Sequence, residues 1–105
     1  MAWTLYRNIR GSEPTLLDFT SHEAQGIPPT SANPEVIRLW DGISCWATEA
    51  QARRIARRYP KQGAYIAVLY IPDVAAIQVE RTRGPGHHTV RGDPSEIWSC
   101  VIEVR

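Results

Sequence analysis

Two adjoining stretches decide the fold: Thr48-Glu49-Ala50-Gln51-Ala52-Arg53-Arg54-Ile55-Ala56-Arg57-Arg58-Tyr59, and Ala64-Tyr65-Ile66-Ala67-Val68-Leu69-Tyr70-Ile71. The first has a helical period. Thr48 and Gln51 have the spacing of a capping box. Ala52, Ile55, Ala56 and Tyr59 share one face, and Arg53, Arg54, Arg57 and Arg58 share the other. Pro60 and Gly63 bracket the helix end. The second stretch is a continuous apolar and aromatic run stopped by Pro72. Its length and β-branched content predict a central strand buried on both faces.

Upstream, Trp3-Thr4-Leu5-Tyr6-Arg7-Asn8-Ile9 alternates and predicts a half-buried strand, with Trp3, Leu5 and Ile9 on one face. Ser12-Glu13-Pro14 predicts a helix start, with Leu16, Leu17, Thr20 and Ala24 on one side and Gly26 as its stop. Asn33-Pro34 opens a second short helix, with Asn33 as cap, Val36, Leu39 and Trp40 as its apolar face and Gly42 at its end. Ile43-Ser44-Cys45-Trp46-Ala47 reads as a short strand. Downstream, Ala75 to Glu80 alternates as a strand, Arg81 to Pro94 reads as a polar loop, and Ile97 to Val104 reads as a last strand. On that strand Trp98, Cys100, Ile102 and Val104 share a face. Helices gather early and strands late, which predicts an α+β domain, helices packed on a mainly antiparallel sheet. With 105 residues and no linker or repeat, the expectation is one domain over 1–105.

Composition narrows the partners. Net charge is +1, and Lys61 is the only lysine among twelve basic residues. Such a balance argues against nucleic acid as a partner, and the arginine helix face reads as solvated. No run approaches ~18 apolar residues, so no membrane span is expected. Met1 to Arg7 has no basic segment leading into an apolar stretch, so the expected compartment is cytoplasmic, with Cys45 and Cys100 as reduced core thiols. The histidines His22, His87 and His88 have no zinc-site spacing, and no metal is expected. A Cys–His hydrolase built from Cys45 or Cys100, His87 or His88, and Asp93 or Asp41 has no signature around either cysteine.

Two regions carry candidate chemistry. The loop Arg81–Asp93 holds three arginines and three glycines, suited to an anionic ligand or an acidic protein partner. Glu96 follows it, a carboxylate placed to stabilise developing positive charge or to act as a base.

Leu5-Tyr6-Arg7, Gly42-Ile43-Ser44-Cys45-Trp46-Ala47-Thr48 and Glu96, taken with the strand-rich second half, resemble the small ADP-ribosyltransferase fold. The resemblance implies a split sheet and NAD as substrate. It implies that Arg7 holds a phosphate or ribose of NAD and that Ser44 orders the nicotinamide pocket. Glu96 would be the catalytic glutamate, favouring the oxocarbenium-like transition state of ADP-ribose transfer. Tyr6, Trp46 or His88 would stack on nicotinamide, and Thr48 would complete the second motif. The implied activity is ADP-ribosyl transfer to a protein or small-molecule acceptor, or NAD glycohydrolysis. Where the family carries Ser-Thr-Ser, this chain has Ser44-Cys45-Trp46, and in place of Glu-x-Glu it has Pro94-Ser95-Glu96. The alternative is a non-enzymatic binding module that uses the Arg81–Asp93 loop.

Overall fold

The computed structural model describes residues 2–73, 76–82 and 84–105. Its centre is β1 (Trp3–Ile9), which pairs antiparallel with β3 (Tyr65–Ile71) along its whole length, from Trp3–Ile71 to Ile9–Tyr65. The remaining strands are β2 (Ile43–Trp46), β4 (Gln78–Arg81), β5 (His87–Arg91) and β6 (Val101–Val104). They form one six-stranded sheet of order β4-β5-β2-β1-β3-β6, and every neighbouring pair is antiparallel. With three short α-helices among the described residues, α1 (Pro34–Arg38), α2 (Glu49–Arg58) and α3 (Pro94–Ser99), this is a compact α+β domain.

The two-residue period of β1 sorts what lies on each side of the sheet. Leu5 and Ile9 point to the face that holds the core, joined by Ile43, Cys45, Ala67, Leu69, Ile71 and Val90. Phe19 and Ile97 cover this face, each 1% exposed. Asn8 points the other way and donates to the Ala52 carbonyl of α2 at 2.9 Å. Ala52 is fully buried there, so α2 packs on the second face as its apolar stripe requires. Thr48 caps α2: its Oγ1 accepts from Gln51 N at 3.2 Å, and its own N–H donates to Gln51 Oε1 at 3.2 Å. In β3, Ile66 to Leu69 are buried on both faces, while Tyr65 and Tyr70 reach solvent.

Four stretches differ from the sequence expectation, each for a physical reason. The helix expected from Ser12 is a 3-10 turn over Leu16–Phe19. Leu16 and Leu17 are 47% and 65% exposed, so no apolar stripe drives a longer helix. Phe19 alone anchors the segment, and burying a phenyl ring contributes roughly 1.5–3 kcal/mol. The polar loop expected over 81–94 contains β5, whose His87, His88, Thr89 and Val90 are all buried. The strand expected from Ile97 starts as α3, because Asp93 Oδ1 accepts from Ser95 N at 2.8 Å and Pro94 holds the first turn. Trp98 and Ile102 are consequently 40% and 66% exposed, and Cys100 is half-buried. The strand expected from Ala75 begins at Gln78, and Ala75 itself lies outside the described residues.

The turn into β3 rests on Gly63, at φ +117°, where an added Cβ would meet the Ile9 carbonyl. Gly26, at φ +77°, faces open space. Gly63→Ala adds a backbone clash to a left-handed strain of about 1–3 kcal/mol. It is expected to lower the unfolding free energy in urea by at least about 3 kcal/mol, and Gly26→Ala by about 1–2 kcal/mol. Equal losses in the two variants would contradict this assignment.

Candidate functional site

Arg7 sits on β1 between Leu5 and Ile9 and shares their parity, so the pleat turns it toward the core face. A guanidinium stays charged there and must be hydrogen-bonded. Its Nε donates to the Asp18 carbonyl at 3.0 Å, and its Nη1 donates to the Ser44 carbonyl at 2.8 Å. Burial holds its pKa below the usual range, opposed by the neighbouring Cys45 and Asp18 groups. The second of these bonds crosses a gap in the sheet. β1 and β2 share one register pair, Tyr6–Trp46, while β1 and β3 stay in register from end to end. The Arg7 side chain thus bridges two strands whose backbones have parted.

A cleft of about 850 Å³ is lined from both sides of this parting. Arg7 and Asn8 come from β1, Ile43 and Ser44 from β2, and His87 and Thr89 from β5. Arg10, His22 and Lys61 add basic groups, and Trp40 adds an aromatic wall. Trp40 is held by its indole N–H, which donates to the Ile27 carbonyl at 2.6 Å, and by His22, with ring centroids 4.8 Å apart. The volume falls in the range of small-molecule sites, roughly 300–1,000 Å³.

Ser44 is exposed on the α2 side of the sheet, and its Oγ lies 3.0 Å from His87 Nε2. His87 Nδ1 lies 2.7 Å from Thr82 Oγ1, which in turn is 3.0 Å from Thr89 Oγ1. Thr82, His87 and Thr89 are 6%, 8% and 3% exposed, so the chain of polar groups is buried behind one exposed hydroxyl. The Trp46 ring meets the imidazole edge-on at 4.9 Å. Gln51 Nε2 donates to the Pro85 carbonyl at 3.2 Å and Ala47 N–H donates to the Gly86 carbonyl at 2.8 Å, which fasten the β4–β5 turn to the start of α2.

Of the residues that the sequence puts forward, Arg7 and Ser44 meet in the cleft although 37 positions apart. Glu96 does not join them: it is exposed, on the first turn of α3, and does not line the cleft. Tyr6 and Trp46 pair across β1 and β2, Thr48 caps α2, and His88 is buried on the opposite face from His87, edge-on to Trp3 at 5.2 Å; none of the four lines the cleft. In the Arg81–Asp93 stretch, Arg91 donates to Asp41 and to Glu80, each at 2.8 Å, so its charge is matched within the molecule. Arg83 lies outside the described residues. Cys45 is fully buried, and loss of solvation pushes its thiol up to about 11. A neutral, enclosed thiol is not a nucleophile. Among the described residues no group of three or more His, Cys, Asp or Glu side chains is placed to hold a metal ion, and no helix is long and apolar enough to cross a membrane.

His87 is the member of the site that sequence reasoning misplaced, since it reads there as part of a polar loop. The usable signal was the alternation His87, Thr89, Arg91 against His88, Val90, a strand pattern with polar groups on the cleft side. No protein-family model, no curated protein and no solved structure matches the chain.

Glu80 ties the far edge of the sheet to α1. It accepts from Arg38 at 2.8 Å and from Arg91 at 2.8 Å, and these bonds hold its pKa down at about 2, below the ordinary 4.5. A depressed carboxylate contributes stability above the unfolded-state pKa, and that contribution disappears as pH falls from 4.5 through about 2. Urea melts across this window are expected to show stability falling with acid, and Glu80→Gln is expected to flatten the dependence. An unchanged slope in the variant would contradict the pairing.

Proposed function

We propose that the cleft binds a dinucleotide of the NAD type, with Arg7 as its phosphate clamp and Ser44 beside the ring-bearing end. The chain is thereby read as an NAD-binding domain of ADP-ribosyltransferase kind. One observation carries this: Arg7 and Ser44, from separate motifs, are joined by a 2.8 Å hydrogen bond inside a cleft of about 850 Å³. Arg7 spends two donor groups on carbonyls, and a guanidinium has five N–H donors, so donors remain for a phosphate. Arg10 and Lys61 line the same cleft, where with Arg7 they outnumber the carboxylates Glu13 and Asp18 by one charge, a small bias toward an anionic occupant. Trp40 offers a flat apolar face for a base. Binding has more support than cleavage, because Glu96 stands outside the cleft. Transfer to a protein or small-molecule acceptor, or hydrolysis, is the reaction that the family resemblance would add.

Titration with NAD followed by amide NMR and thermal unfolding tests the reading. NAD is expected to shift the amide signals of Ser44 and His87 and to stabilise the fold by about 2.7 kcal/mol at a hundredfold excess over Kd. Nicotinamide riboside, which lacks the pyrophosphate, is expected to bind at least tenfold more weakly. Absence of any shift at millimolar NAD would remove the proposal.

A further inference from the structure

The cleft contains a second arrangement, built on the same Ser44. Ser44 is exposed to the cleft, its Oγ is 3.0 Å from His87 Nε2, and Thr82 Oγ1 fixes the opposite ring nitrogen at 2.7 Å. An exposed hydroxyl, an imidazole within hydrogen-bond reach and a third group orienting that imidazole make up an activated nucleophile. Ser44 lies on β2 and His87 on β5, and Thr82, just after β4, is held by its N–H, which donates to the His87 carbonyl at 2.9 Å. Arg7 places a fixed positive charge against the carbonyl of the same serine.

We propose that Ser44 is a nucleophile, with His87 as its general base, acting on a carboxylic ester that carries an anionic group. The ester carbonyl is the electrophile that a serine–histidine pair attacks, and the cleft's three cations, Arg7, Arg10 and Lys61, against two carboxylates, Glu13 and Asp18, leave a net positive charge for an anionic remainder of the molecule. In the tautomer this role requires, Nδ1–H donates to Thr82 Oγ1 and Nε2 accepts from the Ser44 hydroxyl. In the first half-reaction the Ser44 Oγ–acyl carbon bond forms and the bond from that carbon to the leaving alkoxide breaks. His87 Nε2 takes the serine proton and delivers it to the alkoxide. In the second, water gives a proton to His87, its oxygen bonds to the acyl carbon, and Ser44 leaves and recovers the proton from Nε2. Thr82 acts through His87 and is a positioning residue.

The experiment is covalent labelling of the full chain with an alkyl fluorophosphonate, read by intact mass and peptide mapping. Attack forms the Ser44 Oγ–phosphorus bond and expels fluoride. The expected result is one adduct at Ser44, absent in Ser44→Ala and formed at least about 100-fold more slowly in His87→Gln. Thr82→Val is expected to slow labelling, and Thr82→Ser, which keeps the hydroxyl, to restore it. No adduct on the native chain, an adduct at another serine, or labelling of His87→Gln at the native rate would overturn the proposal. These outcomes are independent of whether NAD binds.

Discussion

An arginine in the middle of a core-facing strand is the constraint from which the site follows. Leu5 and Ile9 require their side of β1 to face the apolar core, and the pleat carries Arg7 along with them. A buried guanidinium without acceptors costs several kcal/mol, so the chain must present oxygen atoms to it. It does so with main-chain carbonyls, from Asp18 in the 3-10 turn and from Ser44 in β2. The carbonyls themselves carry no full negative charge, and the nearby Asp18 carboxylate offsets part of the cation. The same geometry explains why β1 and β2 can part after one register pair. A side chain reaching 2.8 Å from the Ser44 carbonyl spans the distance between them.

The other side of the cleft is built on a polar strand. His87 and Thr89 replace the apolar residues expected on a buried strand, and they are tolerated because they bond to Thr82 and Ser44. The cost of burying such groups is offset only when the whole chain of bonds is present. Gln51 adds a mechanical link. One side chain closes the capping box of α2 and holds the Pro85 carbonyl of the β4–β5 turn, so helix and hairpin are positioned together.

The sequence makes the fold legible where chemistry is local. Thr48 with Gln51 and Asn33 with Pro34 announce their helices, and the structure has them. Asp93-Pro94 has the same grammar as Asn33-Pro34, yet the apolar residues from Ile97 onward outweigh it and suggest a strand. The core supplies what the local pattern lacks, since burial of Ile97 alone, with Trp98 left outside, suits a helical turn. β5 is illegible for a different reason. Hydropathy treats His87, His88 and Thr89 as surface residues, and only their long-range partners make them interior ones. Nothing in the spacing of Arg7 and Ser44 announces that they touch. The outward position of Glu96 depends on α3 being a helix and is equally invisible.

The most direct measurement is the stability and amide exchange of Arg7→Met, a substitution that keeps apolar bulk and removes the donors. The account predicts a loss of about 1–2 kcal/mol, because the part-buried Asp18 carbonyl is left without a partner while water reaches the exposed Ser44 carbonyl. It also predicts that exchange rises first at the β1–β2 junction while β3 stays protected. A variant within about 0.5 kcal/mol of the native chain, with junction amides as slow as before, would contradict it.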